Sequence, residues 1–228
     1  MLRTLLLAAL LLLTPFAWCD EADHYNRVVF QSAASREVSN DLLTARMSVE
    51  INDKQPGRIA QQINATLNDA LKKATAFSAV KVSTGDQNTE AIYGKNRKFI
   101  GYRGHAELSL ESRDFESAGK LIALLQGKMQ LTGIDFSVAT VTQKQIESDL
   151  IAEAIDAFKK RAETVRVLLN GNSYKLVRLD INHSGHNRSR ENFRSGMLLE
   201  DNKAQLQNFS SGQSEISVQV TGTIEIIP

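Results

Sequence analysis

From Phe99 to Glu111 the side chains alternate. Ile100, Tyr102, Ala106, Leu108 and Leu110 fall on one side, and Arg103, His105, Glu107, Ser109 and Glu111 on the other. A period of two marks a strand with one face on a core and one in water, the habit of antiparallel sheets. The same rhythm recurs over Leu42–Ile51, through Leu43, Ala45, Met47, Val49 and Ile51. It closes the chain through Ile216, Val218, Val220, Ile224 and Ile226. Shorter runs predict strands at Arg27–Ala34, Phe77–Ser83, Ile134–Val138 and Tyr174–Ile181. Another begins at Ala91–Tyr93, ahead of the hairpin turn Gly94-Lys95-Asn96-Arg97. Thr84–Asn88 reads as a loop, and Ser39-Asn40-Asp41 as turn chemistry between the first two strands.

Between the strands the period lengthens. Ile59, Ile63, Leu67, Ala70, Leu71 and Ala74 follow Pro56 at spacings of three and four, an amphipathic helix with proline in its first turn. Asp114 is placed to cap a second helix that buries Phe115, Ala118, Leu121, Ile122 and Leu125 and ends near Gly127. Thr142-Gln143-Lys144-Gln145 has the spacing of a capping box. It opens a third helix with Ile151, Ala154, Ile155, Phe158, Ala162, Val165 and Leu169 on one face, running to Asn170 with Gly171 as a left-handed stop. Helices packed on one face of antiparallel sheet make this an α+β chain. The recurrence of strand–helix–strand admits an internal duplication, although no repeat is visible residue by residue. Residues 184–212 have little periodicity; such length is usual for functional or mobile loops.

The first residues change the setting. Arg3 precedes the apolar run Leu5–Leu13, Pro15 breaks it, and Ala17-Trp18-Cys19 offers small residues for cleavage after Cys19. The run is far shorter than the ~20 residues that span a bilayer. Residues 1–19 are expected to be a signal peptide and 20–228 a single domain in the periplasm. Lipid anchoring at Cys19 is disfavoured by the bulky Trp18 before it. Cys19 is the only cysteine, so the processed chain would have no disulfide and no thiolate. Lys and Arg number 27 against 26 Asp and Glu, and losing Arg3 makes them equal. That balance argues against a nucleic-acid partner, and no internal run predicts a membrane span.

The chemistry candidates are thin. His183 and His186 sit close together, with Asp180 or Glu191 in reach by sequence; zinc wants three or four protein ligands, and no further ligand motif accompanies them. Arg103, His105 and Glu107 share a strand face and could form an acid–base group, but no nucleophile comes with them. Arg188, Arg190 and Arg194 could clasp an anion, diluted by Glu191, Glu200 and Asp201. Ser39-Asn40-Asp41 lacks the histidine base that a triad needs. The glycines form no phosphate-binding or dinucleotide fingerprint. The expectation is therefore no catalytic residue, no resident cofactor and no metal site beyond the weak pair His183 and His186.

Tyr93–Arg103, with its tyrosine, polar turn and Gly101-Tyr102-Arg103 strand, resembles the SIMPL-domain family of exported bacterial proteins. The resemblance continues through Leu131–Phe136 and the alanine-rich pattern Ala154, Ala157, Phe158, Arg161, Ala162. It takes in Ser35–Asp41, where Asn40-Asp41 replaces a common Pro-Asp, and Gly212-Gln213-Ser214 before the last strand. It implies an exported α+β domain, large oligomeric assemblies in some members and an association with oxidative-stress tolerance, without an agreed enzymatic activity. The expected function is a non-enzymatic, homo-oligomeric envelope or stress-protection factor that works through protein surfaces and envelope protein partners. The alternative is a periplasmic module that binds a metal or small ligand through residues 183–212.

Overall fold

The computed structural model describes residues 25–184 and 211–228. The expected leader, Cys19, and the segment carrying His186, the three loop arginines, Glu191, Glu200 and Asp201 lie outside the described residues.

Seven strands and three helices follow in the order β1 (Arg27–Ser39), β2 (Leu42–Asp53), α1 (Pro56–Ala74), β3 (Val80–Tyr93), β4 (Phe99–Ser112), α2 (Phe115–Leu125), β5 (Gln130–Ser137), α3 (Thr140–Leu168), β6 (Ser173–Ser184) and β7 (Gln213–Ile227). They form two antiparallel sheets, one ordered β3-β4-β2-β5 and the other β1-β7-β6. The four-stranded sheet is two consecutive strand–helix–strand units, β2-α1-β3 and β4-α2-β5, interleaved so that β4 and β2 are central. This is the split βαβ arrangement of ferredoxin-like sheets. The α+β expectation stands, with the helices of each sheet on one face.

Each sheet has its own core. Leu43, Ala45, Met47, Ala106, Leu108 and Leu110 meet Ile59, Ile63 and Leu67 of α1 and Ala118, Leu121 and Leu125 of α2. In the three-stranded sheet, Ile216, Val218, Val220, Ile224 and Ile226 of β7 meet Leu150, Ala154, Phe158 and Ala162 of α3. The alternation in β7, and in β4 from Tyr102 onward, thus points where the sequence indicates. Ile100, expected on the core side, is instead 52% exposed because the β3–β4 register shifts beside it. α3 turns a stripe at i, i+4 spacing onto β7 and β1. Leu150, absent from the predicted stripe, is fully buried, whereas Leu169 at its end is 55% exposed.

Gly104 shows how close α1 lies to its sheet. A Cβ there would fall 2.1 Å from Ile59 Cγ2 and 2.8 Å from Ile63 Cδ1. Gly104→Ala is expected to push α1 outward and cost about 1–3 kcal/mol, the usual range for overpacking. A denaturant midpoint unchanged from the parent would show that α1 yields freely.

Local predictions differ from the structure at other places too. The predicted loop Thr84–Asn88 lies inside one continuous β3. Gly85 and Asp86 are the unpaired residues of a bulge opposite Glu107, so turn-favouring residues here bend a strand rather than end it. β1 runs on to Ser39, paired with β7 along its whole length. The third helix starts at Thr140 and not with a capping box at Thr142; the Thr142 hydroxyl instead donates to Asp41 Oδ2 at 2.7 Å. The left-handed residue after α3 is Asn170 (φ 56°), while Gly171 is needed because Ile226 Cγ2 would lie 2.3 Å from its Cβ. Asp114 caps α2 as predicted, accepting from the Ser117 N–H at 3.0 Å.

Candidate functional site

Two groups of polar residues stand out: the open face of the four-stranded sheet, and the crossing between the sheets. On the open face, the period-two geometry of β4 brings Arg103, His105 and Glu107 together. His105 Nε2 lies 3.2 Å from Glu107 Oε1, and Glu50, the register partner of His105 on β2, places Oε1 3.1 Å from Arg103 Nε. Arg103 Nε is itself shielded from solvent and has no aligned hydrogen-bond acceptor, so Glu50 holds it by charge rather than by a directed bond. Glu90 of β3 stands opposite Arg103.

The expected grouping of these three residues is therefore present, with Glu50 as a fourth member that sequence spacing gives no means of finding. A histidine beside a carboxylate can pass a proton. Productive acid–base work also needs a positioned reactant and a place that excludes water. The side chains are instead between 32% and 49% exposed on an uncovered sheet, where ion pairs are worth about 0–1 kcal/mol. Among the described residues, no three His, Cys, Asp or Glu side chains are placed to hold a metal ion.

The loop candidates divide. His183 lies on β6 opposite Val218. Asp180, a possible companion ligand, is engaged by the Arg178 guanidinium through bonds of 2.6 and 3.0 Å, which hold its carboxyl below the ordinary aspartate value. His186, Arg188, Arg190 and Arg194 are outside the described residues.

The crossing is the best-bonded polar group of the described chain. β1 and β2 belong to different sheets, and Asn40-Asp41 is the step between them; the chain returns at Ser137–Thr140, where β5 gives way to α3. Asp41 Oδ1 accepts from the Ala139 N–H at 2.6 Å, and Oδ2 accepts from the Thr142 hydroxyl and Arg113 Nη2, both at 2.7 Å. Its own N–H donates to Ser137 O at 3.1 Å. Partial burial raises the Asp41 carboxyl, but the Ala139 N–H, the Thr142 hydroxyl and the Arg113 charge together bring it below the ordinary value. Asn40 is buried. Its Oδ1 accepts from the Ser214 hydroxyl at 2.6 Å and its Nδ2 donates to Ser211 O at 2.7 Å, fixing the start of β7 beside Gly212 (φ +66°).

This crossing joins segments that a family relationship should keep together. A family model described as "SIMPL: Protein of unknown function (DUF541)" matches residues 28–224. The chain belongs to the SIMPL family. The match begins in β1 and ends in β7, so both sheets and the Asn40-Asp41 step fall within the SIMPL match. No curated protein matches the sequence. The SIMPL description carries no activity, and the residues of the crossing are all satisfied within the fold. They join the two sheets.

Proposed function

We propose that this SIMPL protein is an exported, non-enzymatic factor of the cell envelope that assembles into homo-oligomers and acts through protein surfaces. The observation that carries the reading is the state of β6. It is an edge strand whose outer N–H and C=O groups have no second strand among the described residues, the arrangement that invites pairing with another chain. It also carries apolar side chains that are exposed among the described residues. Leu176, Val177 and Ile181 are 47%, 40% and 38% exposed, since α3 lies mainly over β7 and β1. Val167 and Leu168 at the end of α3, Leu169 after it, and Ile227, which pairs with Ser173 at the start of β6, are exposed as well. Two β6 edges meeting antiparallel would make one continuous sheet and bury these residues by a two-fold contact.

Size-exclusion chromatography with light scattering tests this reading. The expected result is an assembly larger than one chain at micromolar concentration. Leu176→Lys with Ile181→Lys should return it to monomer without lowering the denaturant midpoint, because neither residue is buried in the single chain. A strictly monomeric parent protein would end the assembly reading. The non-enzymatic part is supported by the open-face charges, which are paired with one another on an uncovered sheet. The protective role follows from the SIMPL resemblance, and a deletion strain with unchanged survival under peroxide would remove it.

A further inference from the structure

The tip of the β3–β4 hairpin combines exposed aromatic and basic residues. β2 accompanies β4 only as far as the pair Asp53–Tyr102, so beyond Gly101 the hairpin is two-stranded. The register breaks between Ile92 and Tyr93, and Gly101 takes φ +155°, with Asp53 O 3.1 Å from where a Cβ would be. Only glycine takes this conformation readily, and the break turns Phe99 onto the side of Tyr102. The rings form a chain, Tyr93 to Phe99 at 6.1 Å and Phe99 to Tyr102 at 5.1 Å, both edge-on. Tyr93, Phe99 and Ile100 are nevertheless 61%, 45% and 52% exposed.

Around them stand Lys95, Arg97 and Lys98, exposed and without an ion pair to any described residue. No Asp or Glu occurs between Glu90 and Glu107. The nearest acid by register, Asp53, already accepts from the Gln55 N–H at 2.8 Å. In a chain whose charges nearly balance overall, this is a compact cation with an aromatic centre.

We propose that the hairpin tip docks on an anionic lipid surface. Tyr93, Phe99 and Ile100 enter the headgroup layer, where amphipathic rings are favoured, and Lys95, Arg97 and Lys98 meet lipid phosphates with their stems along the apolar patch. Charge complementarity selects this occupant over a second copy, whose most acidic described stretch, on α3, is already engaged: Asp149 and Glu153 by Arg36, Asp156 by Lys160 and Glu147 by Gln143. Each basic residue near such a surface strengthens binding about fivefold, so three together give roughly a hundredfold preference for anionic over zwitterionic lipid. Without its three tip cations the chain has 24 basic against 26 acidic residues, a slight negative surplus that favours approach by the tip.

The test places a reporter at the tip of the processed protein: Phe99→Trp, which is the only tryptophan once the expected leader with Trp18 is removed. With phosphatidylglycerol–phosphatidylcholine vesicles, its emission should shift to the blue and be quenched by brominated acyl chains. Pure phosphatidylcholine should bind far more weakly. Lys95→Glu with Lys98→Glu should weaken the anionic-vesicle response at least tenfold while leaving thermal unfolding unchanged. An unshifted emission from the reporter, even with co-flotation through another part of the chain, overturns the proposal. So does equal binding by the charge-reversed variant, a blue shift produced by a single-stranded oligonucleotide instead of vesicles, or a change of oligomer size as the only effect of charge reversal.

Discussion

Phe158→Ala should remove about 3–5 kcal/mol of stability, a large share of the roughly 5–15 kcal/mol that holds a domain together. Phe158 is 2% exposed and stacks on Phe30 with ring centroids 4.5 Å apart. It rests directly on β7: a Cβ at Gly222 would fall 2.5 Å from its Cζ. Its helical neighbours in the core, Ala154 and Ala162, are too small to close over the space it leaves. Because the two cores are separate, hydrogen exchange should quicken first in β1, β6, β7 and α3, while β2, β4 and β5 keep their protection. Gly222→Ala should cost clearly less in the Phe158→Ala background than alone, since the added methyl then enters a cavity. A loss under ~1 kcal/mol, or additive costs in that cycle, would show that the ring is not wedged between helix and strand.

The fold was legible wherever one face of an element is buried and the other wet. β2, β4 and β7 satisfy that condition, as do α1 and α2, so their periods report their burial. β3 does not, because most of its residues are exposed on both faces, and Gly85-Asp86 then reads as a turn when it is a bulge. The division into two sheets was not legible. It depends on which strands pair, and a period-two pattern is the same whichever neighbour a strand takes. The open-face group was half legible for a related reason: Arg103, His105 and Glu107 are two residues apart, whereas Glu50 reaches them only through the register of β2 with β4. Asp41 was the least accessible of all. Its acceptor role is to Ala139 and Thr142, 98 and 101 residues away, and a local rule assigned Thr142 to a capping box because nothing nearby announces a distant carboxylate. The hairpin tip was legible as a turn, but its aromatic chain depends on a register break that no periodicity predicts.

Asp41→Ala should cost about 2–4 kcal/mol at neutral pH, combining charge-assisted bonds with the loss of a cap at the start of α3. One carboxylate serves the Ala139 N–H, the Thr142 hydroxyl and Arg113 together, and its removal leaves the first turn of α3 without its acceptor. Asp41→Asn keeps the shape and should cost less, since an amide oxygen can still take one N–H while its NH₂ faces other donors. The pH dependence separates charge from packing. The folded carboxyl lies below its ordinary value, so the charged form binds its partners and the unfolded chain takes up a proton first as pH falls. The contribution is therefore complete above the unfolded value of about 3.9 and is lost as pH drops through the lower folded value. Urea midpoints of the parent and Asp41→Asn should differ fully at pH 7 and at pH 5, and draw together as the pH falls below about 4. Asp69, Asp114, Asp156, Glu163 and Asp180 are shifted the same way and steepen the acid slope of both proteins, so they cancel in the comparison. A gap that stays constant across that acid range would mean that Asp41 joins the two sheets by its shape and not by its charge.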